Sequence, residues 1–171
     1  GELYYKTGDY DNAYKYLKVI RDETFNNCLT PVNPQSCKKV LNTCLGISSL
    51  FAKDYDTARE CFNYLINTEP DNVENYHYLI LCEEKAGKID MALQICSSAI
   101  VRFGRLPSLI KKQFLLFIEK NDIDGAIHEL NLIEESLYDR EVIAGGFLIN
   151  CLVLNLNGIN HFYRLLFNNL F

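Results

Sequence analysis

Along most of the chain, apolar residues return at three- and four-residue steps, the spacing of one buried face on an amphipathic helix. From Tyr55 the steps run Tyr55, Ala58, Phe62, Leu65. From Ile89 they run Ile89, Ala92, Cys96, Ala99, and from Ile123 they run Ile123, Ala126, Leu130, Ile133. These are one pattern displaced twice by thirty-four residues. Each copy opens just after a turn signal, Lys53-Asp54, Gly87-Lys88 or Asn121-Asp122. A period of that length marks a two-helix unit that cannot bury its apolar face alone and stacks on copies of itself.

Another copy opens the chain as Gly8-Asp9-Tyr10-Asp11-Asn12-Ala13, with eleven extra residues between it and the next. That surplus is assigned to an inserted surface loop at 26–36, which holds Pro31 and Pro34. At the other end, helices over 142–154 and 159–170 with a turn at 155–158 predict a degenerate last pair. The plan is a single helical array over 1–171. It comprises a partial repeat at 1–25, the loop at 26–36, repeats at 37–70, 71–104 and 105–140, and a terminal pair at 141–171. A chain that opens in mid-helix at Gly1 reads as an excerpt of a longer one. The alanines are assigned to packing, because a methyl lets the second helix of a unit cross the first closely. Pro70 is expected to end one helix, with Asp71 or Asn72 capping the next.

These residues resemble the tetratricopeptide-repeat (TPR) family, whose units carry a small residue, a glycine, an aromatic, an alanine, an aromatic and a proline in that order. The second unit matches best, with Gly46, Tyr55, Ala58, Phe62 and Pro70. The first supplies Gly1, Tyr4, Gly8, Tyr10 and Ala13, and the third Gly87 and Ala92. Departures are Ile80 and, in the fourth unit, Phe114 where a small residue is usual, so looser helix contacts are expected there. The resemblance implies an all-α fold, a TPR-type α-solenoid of antiparallel helix pairs. Proteasome-lid-type helical repeats and an irregular bundle are the competing architectures, and the unbroken step argues against both.

Charge and chemistry narrow the function by exclusion. A net charge of −5 and only two adjacent basic pairs, Lys38-Lys39 and Lys111-Lys112, argue against a nucleic-acid partner. The seven cysteines have irregular gaps and no CxxC, so neither a zinc module nor a redox motif is read. Cys44, Cys61, Cys82 and Cys96 fall in helical patterns as small apolar fillers, and such thiols fit a reducing, cytoplasmic setting. His77, His128 and His161 lie in different units without a ligand partner at helical spacing. Glu83-Glu84 and Glu134-Glu135 read as solvated helix faces. The apolar run at 142–156 is too short for a bilayer span and reads as a buried terminal helix. No catalytic, cofactor-binding or metal residue is assigned, no membrane insertion and no small-molecule substrate; the chain reads as non-enzymatic.

Proteins that stack helix pairs present long surfaces to other proteins. The TPR resemblance implies that the first helix of each unit lines the concave side. That nominates Thr43, Ile47 and Leu50, then His77, Leu81 and Glu84, then Lys111, Leu115 and Ile118 as a protein-binding strip. The lysine-and-asparagine clamp of chaperone-binding TPR domains finds Thr43 and Ile47, then Glu74 and Tyr78, at its matching places, with only Lys111 and Lys112 suitable. An acidic residue there repels a peptide carboxylate. A peptide-binding adaptor of chaperone or targeting type is therefore the alternative to a scaffold subunit of a multiprotein complex. The chain is also similar to the TPR subunit, subunit twelve, of the TRAPP vesicle-tethering complex. Gly8-Asp9, Ala13-x-Lys15-Tyr16, the long loop, Glu69-Pro70-Asp71-Asn72, Leu81-Cys82 and Gly87-Lys88 carry that likeness. It implies vesicle tethering, peripheral to early secretory membranes. Finally, the apolar end Phe162, Leu165, Leu166, Leu170 and Phe171 is expected to meet a partner or further chain.

Overall fold

The computed structural model describes residues 1–22, 34–133, 138–153 and 155–168. They form ten helices, with no strand among the described residues: α1 (Glu2–Lys6), α2 (Tyr10–Asp22), α3 (Pro34–Phe51), α4 (Tyr55–Thr68), α5 (Val73–Lys85), α6 (Ile89–Phe103), α7 (Pro107–Lys120), α8 (Ile123–Leu130), α9 (Arg140–Leu152) and α10 (Leu156–Asn168). They follow one another as the helix pairs of a TPR-type α-solenoid, in two compact units, Gly1–Lys88 and Ile89–Phe171. Residues 34–36, assigned to the inserted loop, are instead the first turn of α3, because a proline with its fixed φ suits the first helical position. The remainder of that loop lies outside the described residues. The last turn is also shorter than expected, since α10 begins at Leu156.

The turn inside each pair is one structure repeated. The backbone N–H of Asp9 donates to the Tyr4 carbonyl, Asp54 to Ser49, Lys88 to Glu83, Asp122 to Phe117 and Asn155 to Asn150, at 2.8–2.9 Å. This six-to-one bond closes a helix end and needs a left-handed residue before the donor. Gly8 (φ 78°), Lys53 (60°), Gly87 (73°) and Asn121 (63°) supply it. The donor residue then caps the following helix. Asp9 accepts from the N–H of Asn12, Asp54 from Thr57, Asp122 from Gly125 and Asn155 from Gly158, at 3.0–3.2 Å. Lys88 stands at that place in the third pair and has no acceptor oxygen to offer. Asn72 caps α5 and Asp139 caps α9.

In the first unit the core joins Ala13 and Leu17 of α2 to Leu41, Cys44 and Leu45 of α3 and Cys61 of α4. Gly46 lets α4 approach, since a Cβ there would stand 2.8 Å from the Phe62 ring. That ring is fully buried and stacks on Tyr78 of α5, centroids 5.3 Å apart. In the second unit Phe114, Ala126, Leu130, Val142, Ile143, Ile149 and Phe162 form one cluster. The looser contacts expected at Phe114 are not found. Its ring is fully buried, and Gly145 on α9 leaves the space it occupies. Phe162, expected at a partner surface, is core, and Leu165 packs against the same cluster. The side chains of Leu166, Leu170 and Phe171 lie outside the described residues. Ala13, Ala58, Ala92 and Ala126 are each fully buried, as packing residues must be.

Candidate protein-interaction surface

Helix α3 sets Thr43, Ile47 and Leu50 four and three residues apart, so they share one face. Thr43 is half-buried, and its Oγ1 donates to the Lys39 carbonyl at 3.0 Å, a bond within the helix. Ile47 is only 8% exposed, so most of its surface belongs to the interior. Leu50 is half-buried. On α5, His77, Leu81 and Glu84 share a face in the same way, and all three are half-buried.

On α7 in the second unit, Lys111, Leu115 and Ile118 likewise share a face. Leu115 and Ile118 pack against the core cluster of that unit. Lys111 spans to α9, bonded to Asp139 and, at 2.8 Å, to Glu141. Burial acts to lower its pKa, but those two carboxylates prevail and hold it above the ordinary lysine value. An ammonium held by two carboxylates is poorly placed to grip a peptide terminus. Of the nine nominated residues, only Ile47 is buried; the others are half-buried, Leu115 and Ile118 against a core cluster and Lys111 on two carboxylates, while Thr43, Leu50, His77, Leu81 and Glu84 sit on α3 and α5.

The polar chemistry that the sequence left unread is structural. Glu83, read there as a solvated residue, is 2% exposed. Arg59 of α4 grips its carboxylate with Nε and, at 3.0 Å, with the terminal Nη2. The same guanidinium holds Asp56 at 2.6 Å. Neither spacing nor motif announced this pair, because its partners come from different helices, α4 and α5, twenty-four residues apart. Glu129 is also buried and bonds Arg105 at 2.8 Å. Asp54 does more than cap α4. Its Oδ2 accepts from Tyr14 Oη at 2.6 Å, Lys18 Nζ at 2.8 Å and Thr57 Oγ1 at 2.8 Å, which ties α2 to the α3–α4 turn. Burial alone would raise the Asp54 pKa; the bonds from Lys18, Tyr14 and Thr57 outweigh it and hold the carboxyl well below the usual range.

Cysteine chemistry is suppressed by burial. It pushes the Cys61 and Cys82 thiols up to about 11 and the Cys96 thiol up to about 12. Cys82 and Cys96 spend their sulfur atoms on the carbonyls of Tyr55 and Leu109, at 3.3 and 3.4 Å. A thiol so raised is a poor nucleophile at neutral pH. Among the described residues, no helix is long and apolar enough to cross a membrane.

No protein-family model matches the sequence, and no curated protein does. Solved structures do match in fold. One is a chain from the Naa15/Naa10 complex bound to HypK-THB, with a TM-score of 0.71 and 17% identity over 99% of this chain. Another is MamA AMB-1, with a TM-score of 0.67 and 15% identity over 95% of this chain and 86% of its own. This chain spans a quarter of the length of the first. At these identities the likeness is one of fold alone, a TPR-like helical array.

Proposed function

We propose that this chain is a segment of a non-catalytic protein-interaction scaffold, a TPR-type subunit of a larger assembly. The observation that carries the reading is the same turn recurring within successive pairs, with the same cap in all but the third. Repeated helix pairs of this kind offer open helix faces, which suit an extended protein partner better than a reacting small molecule. The contact strip is centred on Thr43, Leu50, His77, Leu81 and Glu84. A fold neighbour solved with HypK-THB bound supports this use of the architecture.

Within that class, we assign the chain to vesicle tethering, at the cytoplasmic side of early secretory membranes, on its resemblance to the TRAPP subunit. Gly8 and Asp9, which carry part of that resemblance, make a turn and a cap, so they speak for the fold more than for the partner. Affinity capture from cell extract with this chain, beside its Leu81→Glu variant, tests both levels. The expected result is a set of tethering-complex subunits held by the parent and lost by the variant. Capture of chaperones or of one peptide-bearing client would move the assignment to an adaptor. Equal capture by the variant would remove the strip.

A further inference from the structure

Within the second unit, α8 and the last helix pair border a partly open cavity of about 440 Å³. Ile127, Leu130 and Phe162 give it apolar walls, and Asn131, Asn150 and Asn155 bring carboxamides to it. Tyr138 and His161 line it as well, and among the described residues no lining side chain is a carboxylate, an ammonium or a guanidinium. Its size falls in the range of small-ligand sites, about 300–1,000 Å³.

Two of the carboxamides are set by the fold, that of the buried Asn150 and that of the exposed Asn155. Asn150 is 7% exposed; its Nδ2 donates to the Gly146 carbonyl at 2.8 Å, and its Oδ1 accepts from Asn155 Nδ2 at 2.7 Å. Asn155 Oδ1 accepts from the Gly158 N–H at 3.2 Å. Gly158 is a glycine for a reason visible here, because a Cβ would collide with the Asn150 carboxamide. A carboxamide has two donor hydrogens and two acceptor lone pairs. Among the described residues, each of these two uses one hydrogen and one lone pair, which leaves one of each. A secondary amide offers the complement, one N–H and one C=O. A charged ligand would lose its hydration in a site whose lining holds no permanent counter-charge, which is costly.

We propose that this cavity binds an uncharged, amide-bearing ligand with one apolar side chain, the amide on Asn150 and Asn155 and the side chain against Leu130 and Phe162. The site is separate from the α3–α5 strip and does not depend on the scaffold reading.

The test uses the intact chain, labelled with nitrogen-15, and N-acetyl-leucine N-methylamide as the probe. Saturable shifts are expected at Asn131, Gly158 and the side-chain amides of Asn150 and Asn155, with Kd on the order of 1 mM for so small a ligand. N-acetyl-leucine, the carboxylate analogue, is expected to bind about tenfold more weakly or worse. Val153→Trp puts a bulky ring at a half-exposed wall residue and is expected to weaken the shifts strongly. No saturable shift at roughly 10 mM probe, shifts centred elsewhere, or equal binding of the carboxylate would each overturn the site. So would undiminished binding by Val153→Trp, and the comparison of the two probes stands even where that variant folds poorly. A capped Ala-Leu-Ala peptide distinguishes the source: tighter binding than the single unit indicates a polypeptide ligand, equal binding a free small amide.

Discussion

Gly46→Ala adds one methyl where α3 and α4 come closest. The new Cβ would stand 2.8 Å from Phe62 Cε1, 3.0 Å from Cys61 Cβ and 3.1 Å from Phe62 Cζ. Carbon atoms in contact settle at about 3.5–4.0 Å, so the helices must separate by roughly half an ångström or more. The ring cannot turn aside cheaply, being fully buried and stacked on Tyr78. Cys61 Cβ moves only with the α4 backbone. Against this, alanine in place of glycine in a helix interior stabilises by about 1 kcal/mol. Overpacking a tight core costs about 1–3 kcal/mol, and a clash anchored on backbone belongs in the upper part of that range. The net expectation is a loss of about 1–2 kcal/mol, or about 2–8 °C in Tm for a chain of this length. Thermal and urea melts read the total. Hydrogen exchange should localise the loss to α3 and α4, because repeat arrays need not unfold in one step. Adding Phe62→Leu should give a double variant more stable than additivity predicts, by at least about 0.5 kcal/mol. A Gly46→Ala protein as stable as its parent, with exchange unchanged in α4, would refute the close-packing argument.

Three further outcomes are expected. Arg59→Met strands the Glu83 carboxylate in the interior and should cost about 3–5 kcal/mol, whereas Arg59→Met with Glu83→Leu should recover most of it; urea midpoints that rank the two the other way would sink the ion-pair reading. Gly87→Ala should destabilise by about 1 kcal/mol through its left-handed φ alone, since nothing lies within 4 Å of the added Cβ, while Lys53→Gly at the equivalent turn should stabilise by a similar amount; Tm shifts of the same sign would contradict a shared turn. Asp54 has a folded pKa below its ordinary value of 3.8, so its contribution is present above that pH and is lost as pH falls through the folded value. The stability gap between parent and Asp54→Asn, measured in urea from pH 7 to pH 2, should accordingly narrow below about pH 4; a gap that widens in acid would mean the network does not hold the carboxylate.

Local chemistry made the architecture legible. The thirty-four-residue step, the buried alanines and the turn pairs are short-range features. A helix period, a left-handed residue and a capping carboxylate act within a few residues of themselves, so the sequence alone determined an all-α array of helix pairs and the place of each turn. Even the degenerate last pair keeps its cap at Asn155. Tertiary structure decided what depends on side chains far apart in the chain. It turned Glu83 from a surface residue into a buried partner of Arg59, drew Asp54 toward Tyr14 and Lys18, and took Phe162 into the core. It also divided the nominated strip, assigning Ile47, Leu115 and Ile118 largely to packing and Lys111 to Asp139 and Glu141. The reason is physical: periodicity says which residues share a helix face, but whether that face meets solvent, a carboxylate or another helix depends on neighbours that only the folded chain brings near.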